Sequence, residues 1–455
     1  MTTLAEVKLW GRRIGAVSLA NNDDVSAFEY DPEFATSGIE VSPITMPLSQ
    51  RIYRFHELSR PTFHGLPGLL ADSLPDKFGN ALIDTWLAQQ GRTAESYNAV
   101  ERLCYTGDRG MGALEYIPAI GPKRSQSRQV QVDQLVELAS SILSHSNTLN
   151  TSFSEDHSER AMADILQVGT SAGGARAKAV IAWNPDTNEV RSGQVKADQG
   201  FQYWILKFDG VSVNRDKELD DPQGYGVIEY AYALMAKAAG ITMSECRLFE
   251  ENGRRHFMSR RFDRLDGGEK LHMQSLCALA HYDYNLAGVW SYEQAFLILR
   301  RLALPMDSIE QQFRRMVFNV IARNQDDHVK NIALLMDKSG NWSLSPAYDM
   351  TYSYNPTGAW TASHQMSING KRDQFTLDDF RVCAKTASMK RGRAEKIIDE
   401  VKAAVTQWKD FANEANVDAR QREQIQRSFR LSLISEIMYS NSSLIVDQLH
   451  LFSIK

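Results

Sequence analysis

The chain has 455 residues, of which 43% are hydrophobic, which is enough for two or three domains with proper cores. Its formal net charge of −5 provides no overall basic character, so direct binding of nucleic acid is not expected. The four cysteines follow no zinc or disulfide spacing, and neither a signal peptide nor an apolar run of roughly 18 residues is found, so we expect a cytoplasmic protein without a membrane segment.

Residues 1–120 predict a small N-terminal domain that begins with β-structure. Two apolar runs, 7–10 and 14–19, flank a turn that contains Gly11, which is typical of a β-hairpin. The apolar residues at 28–30 predict a further strand of the same domain.

A helix and a linker are expected to follow. Apolar residues recur at helical spacing over 68–90. Residues 121–160 are mainly polar and rich in serine, apart from an amphipathic stretch at 131–144. This composition indicates a linker that contains one helix.

A segment with glycine and serine, 168–178, precedes an apolar strand predicted at 179–183. Backbone N–H groups of such a loop can approach phosphate groups closely. Gly169 and Gly174 have the spacing of a Walker A loop, but Ala175 stands where that loop requires lysine and no helix obviously follows. We therefore reject a P-loop NTPase.

Lys207 lies within a short strand predicted at 204–208. Alternation places its side chain on the face opposite the strand's aromatic residues, and the α- and β-phosphates of a nucleotide are a natural target for it. The alternative is a lysine that extends from the strand end to solvent. A helix predicted over 224–239 follows, and its Glu229 could pair with Lys207.

The second half of the chain predicts a helical lobe. A strand-like run, 256–264, falls where a linker between two kinase lobes would lie, and its backbone could meet an adenine edge. Residues 290–455 show mainly helical patterns, including 394–415 and 420–449. The predicted fold class is α/β (α+β) and kinase-like: a small β-rich N-terminal domain (1–120), a linker with a helix (121–160), an α/β nucleotide-binding lobe (161–265) and a larger all-helical C-terminal lobe (266–455).

The catalytic motif is expected to follow a helix directly. Apolar positions over 306–322 have helical spacing, and Asp307 or Ser308 could cap the helix. The polar segment N-Q-D-D-H-V-K-N comes next, at 324–331. An apolar run at 332–336, a turn and a return strand at 342–344 then predict a hairpin.

Asp326, Asn331 and Asp349 carry the chemistry of this motif. An Asp followed five residues later by an Asn is the spacing of a protein-kinase catalytic loop, and a second Asp lies beyond the hairpin. Asp326 is the predicted base, and Asn331 and Asp349 are the predicted ligands of Mg²⁺ bound with ATP. Asp327 is the other candidate for the base, but only Asp326 has the required spacing to Asn331.

His328 and Lys330 lie between the base and Asn331 and could contact phosphate oxygens. An isolated histidine is more often structural, but His328 shares the loop with the base. The alternative for the whole segment is a solvated, acidic turn, which the agreement of three spacings disfavours.

With these motifs in place, the chain resembles the HipA family of bacterial toxin–antitoxin kinases over nearly its whole length. The N-terminal motifs that carry the resemblance are Leu9-Trp10-Gly11-x-x-Ile14-Gly15, Phe28-x-Tyr30-Asp31 and Leu74-Pro75-Asp76. The kinase-like motifs are Ser171-x-x-Gly174-Ala175-x-x-Lys178, Lys207, Arg260-Arg261-Phe262-Asp263-Arg264, Asp326-x-His328-x-Lys330-Asn331 and Tyr348-Asp349.

The resemblance implies ATP- and magnesium-dependent phosphorylation of serine or threonine on a protein. Family members act on translation components, notably aminoacyl-tRNA synthetases, and cause growth arrest, so the resemblance also implies a role in persistence. A small DNA-binding antitoxin neutralises them, so DNA would be contacted only indirectly. Ser171 matches the family's autophosphorylated loop serine, and Thr170 is an alternative acceptor.

The residues expected at the nucleotide on this basis are Gly173, Gly174, Ala175, Arg176, Ala177, Lys178, Lys207, Arg260, Arg261, Phe262, His328, Lys330, Asn331, Tyr348 and Asp349. Two other functions stay open. One is a small-molecule kinase of the same general fold, and the other is a catalytically inactive co-repressor that binds an antitoxin.

Overall fold

The computed structural model describes residues 2–121, 129–144, 164–166, 169, 176–194, 196, 198–211, 215–216, 219–220, 224–265 and 267–433. The predicted loop positions Thr170, Ser171, Gly173, Gly174 and Ala175 lie outside the described residues, as does the end of the helix predicted over 420–449.

The N-terminal domain is built on an antiparallel sheet of four strands in the order β3-β2-β1-β4. Alternate residues of β1, including Ala5, Val7 and Leu9, are buried beneath it, as a half-buried strand requires. Trp10 and Gly11, both with positive φ, form the two-residue turn of the predicted hairpin, which is confirmed. The strands are β1 (Thr2–Leu9), β2 (Arg12–Ala20), β3 (Ala27–Tyr30) and β4 (Leu114–Ile117).

The prediction of a single helix over 68–90 is wrong, because the chain forms two helices there. Pro75 cannot donate a helical N–H, and Asp76 begins a new helix by accepting a hydrogen bond from the Gly79 N–H at 2.7 Å. The helices of this domain are α1 (Arg60–Phe63), α2 (Gly68–Ala71), α3 (Lys77–Gln89) and α4 (Ala99–Thr106).

The lobe that follows the N-terminal domain contains a five-stranded antiparallel sheet in the order β10-β11-β7-β5-β6. Helix α5 (Val132–Ser144), predicted within the linker, packs its apolar face on this sheet and on α3. The strands are β5 (Lys178–Trp183), β6 (Val190–Ser192), β7 (Gln202–Lys207), a small pair β8 (Arg215–Asp216) and β9 (Leu219–Asp220), β10 (Cys246–Glu251) and β11 (Arg254–Arg260).

The C-terminal lobe is mainly helical, but it is not all-helical as predicted. The expected hairpin is confirmed as β13 (Ala333–Met336) and β14 (Trp342–Leu344), and β12 (His272–Ser275) adds a third strand that the sequence did not reveal. The fully apolar β13 is buried and hydrogen-bonded on both edges, which explains its continuous apolar run.

One large apolar core joins the helices of this lobe to the helix that follows β7. That helix was predicted over 224–239, and its side chains pack against those of the helix before the catalytic motif. The helices are α6 (Tyr225–Ala238), α7 (Leu276–Ala280), α8 (Tyr292–Arg301), α9 (Met306–Ile321), α10 (Leu377–Thr386), α11 (Arg393–Thr406), α12 (Trp408–Glu414) and α13 (Ala419–Ser428).

One predicted helix cap and the extents of two predicted helices are wrong. Helix α9 begins at Met306, where the predicted range begins, but its N-cap is Pro305 and neither Asp307 nor Ser308. The helix predicted over 394–415 is interrupted at Gln407, and helix α13 ends where Phe429 becomes extended. No helix in the described ranges is both long and apolar enough to cross a membrane.

Candidate active site

The loop that is predicted to be catalytic runs from α9 to β13, and a hydrogen bond between the two ends of its Asp-x4-Asn motif closes it. Arg323, with a φ of +60°, turns the chain out of the helix. The Asn331 side-chain amide donates a hydrogen bond to the Asp326 backbone carbonyl at 2.9 Å. Because the amide N–H₂ is used within the loop, the amide oxygen of Asn331 is the atom that suits a metal ion.

The two neighbouring aspartates of the loop have different surroundings. Asp327 is 3% exposed and accepts hydrogen bonds from the Tyr292 hydroxyl at 2.7 Å and the Gln365 N–H at 2.8 Å, and His364 Nδ1 lies 2.8 Å away. The Asp326 carboxylate is more exposed, at 19% of its side chain. Asp327 is therefore part of the scaffold, and Asp326 has the placement expected of a base that meets substrate.

Lys207 joins the two lobes. Its ammonium group is 2.6 Å from Glu229 Oε1 on α6 and 2.6 Å from Asp349 Oδ1 in the C-terminal lobe. Burial alone would lower the pKa of Lys207, but the Asp349 and Glu229 carboxylates outweigh it and hold that pKa above its ordinary value. The predicted pairing of Lys207 with Glu229 is confirmed.

Asp349 lies just beyond β14 in a left-handed backbone conformation, with a φ of +52°. Burial would raise the pKa of its carboxyl, but Lys207 and then Lys178 lower it to about 2. The Asn324 amide donates to the Asp349 backbone carbonyl at 3.3 Å, which links the start of the catalytic loop to this carboxylate. Asp349 is thus held as an anion beside the cationic edge of the sheet.

Lys178 faces a carboxylate of the N-terminal domain. Its Nζ lies 3.4 Å from Asp76 Oδ2, and both side chains are 4% exposed. Burial raises the pKa of Asp76, and the Lys178 charge opposes that rise. Arg176 lies two residues before Lys178 in the chain. Its guanidinium carbon is 3.4 Å from the centroid of the Tyr225 ring, and one of its nitrogens is 3.9 Å from Glu229 Oε2. Ala177, between the two cationic residues, is buried.

The remaining residues of the catalytic motif support the loop from its other side. The Tyr348 hydroxyl donates to the Lys330 backbone carbonyl at 2.8 Å, and the Lys330 ammonium lies over the Tyr284 ring at 5.1 Å. His328 Nε2 is 3.9 Å from Asp326 Oδ1. Burial would lower the pKa of Lys330, but the nearby Asp72 carboxylate raises it above its ordinary value.

The predicted inter-lobe run, residues 260–264, contains side chains with different kinds of contact. The Arg261 guanidinium is buried and donates to both carboxylate oxygens of Asp263, at 2.9 and 2.7 Å, so its side chain serves the domain junction. Arg260 lies 3.5 Å from Glu245, and the Phe262 ring packs against Tyr348 with centroids 5.7 Å apart. Because the Arg261 backbone N–H donates to the Tyr203 carbonyl at 2.9 Å, the backbone carbonyl is the part of Arg261 that remains for the predicted nucleotide contact.

Sequence reasoning missed two residues of the site. Asp76 belongs to the motif Leu74-Pro75-Asp76, which by itself indicates no role for it, although an acidic residue just before a helical run is an N-cap signal. The Trp360 indole N–H donates to Asp326 Oδ1 at 2.6 Å, and no local pattern in the sequence points to it.

The residues present fit a nucleotide bound with Mg²⁺. A cleft with about 300 Å³ of empty space is bordered by Lys207, Glu229, Phe257, Tyr348 and Asp349, between the sheet of one lobe and the loop of the other. Magnesium is usually held by one or two protein oxygen ligands, with the others supplied by phosphate and water. The Asp349 carboxylate and the Asn331 amide oxygen are ligands of that type.

The architecture and this cleft define a protein with a kinase-like α/β fold of several domains. A family model described as the HipA-like C-terminal domain matches residues 170–408, and a model described as the HipA N-terminal domain matches residues 5–117. The chain belongs to the HipA family, as the sequence motifs predicted.

A solved structure agrees with this fold. The HipA chain of the Shewanella oneidensis MR-1 toxin–antitoxin system, solved with HipB and its operator DNA, superimposes with a TM-score of 0.65 at 16% identity. The match covers 93% of this chain and 96% of that one. The Helicobacter pylori proinflammatory kinase CtkA gives a TM-score of only 0.29 at 11% identity, over 49% of this chain and 92% of its own.

A curated relative matches part of the chain. It is the "Putative kinase Y4mE" of Sinorhizobium fredii (strain NBRC 101917 / NGR234), which is 24% identical over 203 residues. The match covers 41% of this chain and 47% of that protein, so the chain spans about half the length of this relative.

Proposed function

We propose that this chain is an ATP- and magnesium-dependent protein kinase that phosphorylates serine or threonine. The observation that supports this most directly is the placement of Lys207 Nζ, 2.6 Å from both Glu229 and Asp349. In protein kinases the strand lysine, the helix glutamate and the metal-binding aspartate must be in place together before phosphoryl transfer occurs. In this cleft the lysine contacts both the glutamate and the aspartate.

Each group has a role in this proposal. Asp326 orients the acceptor hydroxyl and accepts its proton. Lys207 binds the α- and β-phosphates, and Asn331 and Asp349 would hold Mg²⁺. When bound, magnesium–ATP supplies the phosphoryl group and neutralises the charge that develops on it.

The acceptor in this proposal is a protein of the translation machinery, such as an aminoacyl-tRNA synthetase, and its phosphorylation arrests growth. Membership of the HipA family and the kinase-like cleft support this assignment. Autophosphorylation of Ser171, five residues before Arg176 in the sequence, would switch the enzyme off. A phosphate there adds about −1.5 to −2 charges where the phosphates of ATP bind.

The proposed partner is a small DNA-binding antitoxin. The Shewanella HipA structure contains HipB and its operator DNA, and the fold of this chain matches that HipA over 93% of its length. A net charge of −5 supports contact with DNA through the antitoxin and not by this chain itself.

The test is phosphotransfer from γ-labelled ATP in a cell lysate, with the purified wild type and Asp326→Ala compared. A protein band labelled only by the wild type is the expected result. Label in the low-molecular-weight fraction alone would identify a small-molecule kinase, and no label in either fraction would favour the inactive co-repressor. Phosphoproteomics after induction of the two proteins then identifies the acceptor.

A further inference from the structure

Trp360 contacts the proposed base from a segment well downstream of the catalytic loop. Its indole N–H donates to Asp326 Oδ1 at 2.6 Å, and the side chain is only partly buried. A hydrogen bond to an ionised carboxylate is stronger than one between neutral groups. The contact therefore restrains the orientation of the Asp326 carboxylate.

The segment that carries Trp360 is fixed to the catalytic loop by two glutamines. The buried Gln325 side chain donates to the Thr361 carbonyl at 2.9 Å, and Gln365 donates to the Gln325 carbonyl at 3.1 Å and to that of Trp360. Both glutamines are almost completely buried, at 0% and 3% exposure. Moving the segment would break the two buried hydrogen bonds that join it to Gln325, at a cost in free energy, so the indole is held in one place.

We infer that Trp360 is a positioning residue that holds Asp326 in its orientation for phosphoryl transfer. This inference rests on the proposed kinase function. Trp360 acts through Asp326, because its indole N–H donates to that carboxylate and its backbone carbonyl accepts a hydrogen bond from Gln365. Its loss should therefore affect turnover and leave the nucleotide-binding groups unchanged.

The first test compares the steady-state kinetics of Trp360→Phe with those of the wild type. Phenylalanine keeps an aromatic ring but removes the donor. We expect kcat to fall about tenfold, as loss of one hydrogen bond to a charged group predicts, while KM for ATP stays within about twofold. Trp342→Phe is the matched control, since that indole donates to the Glu40 carbonyl at the edge of the N-terminal domain, and its kinetics should not change.

The second test needs no enzyme activity. The chain has eight tryptophans, so a spectrum of ¹⁵N-labelled indole groups contains few signals, and the one missing in Trp360→Phe belongs to Trp360. In Asp326→Ala that signal should move upfield, because the carboxylate acceptor is lost, while the signal removed by Trp342→Phe stays in place. If the Trp360 signal does not move, the contact is absent and the inference is overturned.

The two tests separate this inference from the proposed function. A wild type without phosphotransfer activity contradicts the kinase proposal, whatever the indole spectra show. If the wild type is active and Trp360→Phe has an unchanged kcat, the positioning role is overturned and the kinase proposal stands. The same holds if the kcat of Trp360→Phe falls by the same factor by which its KM for ATP rises.

Discussion

Lys178 and Lys207 lie directly opposite each other on the antiparallel strands β5 and β7. Like charges in that position destabilise a sheet unless other groups compensate them. Here Asp76 lies 3.4 Å from Lys178, and Glu229 and Asp349 each lie 2.6 Å from Lys207. The two opposed lysines thus form ion pairs with carboxylates from the N-terminal domain, from α6 and from the C-terminal lobe at one edge of the sheet.

Replacing Lys207 with alanine should weaken both ATP binding and catalysis. The substitution removes the cation proposed for the α- and β-phosphates and leaves Glu229 and Asp349 close together without it. Calorimetric titration with ATP and the rate of phosphotransfer measure the two effects. Gln202→Ala, at the other end of β7, is the control and should change neither. Unchanged affinity and rate in Lys207→Ala would assign the phosphate contact to another residue, with Lys178 the first candidate.

Asp326→Ala and Asp349→Ala should each abolish phosphotransfer for different reasons. Loss of a proton-transfer group costs about 10²–10⁴-fold in rate, and loss of a metal ligand at the phosphates should cost at least as much. Asp326→Ala should still bind magnesium–ATP, whereas Asp349→Ala should not, which titration with and without Mg²⁺ would show. Asp337→Ala, in the exposed turn between β13 and β14, is the control. Activity within about tenfold of the wild type in either site variant would rule out the kinase assignment.

Much of this site could be predicted because its signals are local in sequence. The Asp-x4-Asn spacing places Asn331 against the Asp326 carbonyl within a single loop. Alternation along β7 correctly put Lys207 on the face opposite the buried Trp204, where it meets Glu229. Such patterns depend on neighbours a few residues away, which the sequence displays directly.

The parts that could not be predicted depend on contacts between distant segments. No spacing rule joins Trp360 to Asp326, or Asp76 to Lys178, because the tertiary fold alone brings them together. Strand β12 escaped notice because His272 and Gln274 interrupt the apolar pattern, although both are completely buried. A buried polar strand is recognisable only when its hydrogen-bond partners are known.

Asp76→Asn should destabilise the protein by about 3 kcal/mol, because it removes the negative charge that faces the buried Lys178 ammonium. Asparagine can still cap α3, so the loss reports the charge and not the cap. Asp84→Asn is the control on the same helix. Its partner Arg102 is at 3.0 Å, but Asp84 is 36% exposed, and the cost should stay below about 1 kcal/mol. Urea unfolding of both variants measures the difference, and equal losses would contradict a special role for Asp76.

Active protein should carry phosphate on Ser171 or, less favoured, on Thr170 after prolonged incubation with ATP, and that form should bind ATP weakly. The added negative charge repels the phosphates of the nucleotide. Asp326→Ala protein, which cannot transfer phosphate, should stay unmodified and bind ATP well. Mass spectrometry of the loop peptide and ATP titration of both proteins are the measurements. An active enzyme without loop phosphate would remove this regulation and leave the kinase proposal intact.

The stability of the protein should fall on mild acidification, and His272 should account for a defined part of the loss. This imidazole in β12 is completely buried, with Nε2 3.2 Å from the Val41 carbonyl, and burial lowers its pKa to about 4. An unfolded chain binds a proton at this residue near pH 6.5, so between about pH 6.5 and pH 4 the unfolded state takes up a proton that the folded state refuses. The free energy of unfolding therefore decreases as the pH falls through that window, by about 2 kcal/mol between pH 7.5 and pH 5 for this group.

Urea unfolding at the two pH values measures this contribution of His272. The pH-dependent loss of stability should be smaller by that amount in His272→Gln, whereas the control His56→Gln, at an exposed histidine, should show the same loss as the wild type. The same pH-dependent loss in His272→Gln and the wild type would mean that His272 takes up its proton in the folded state as well.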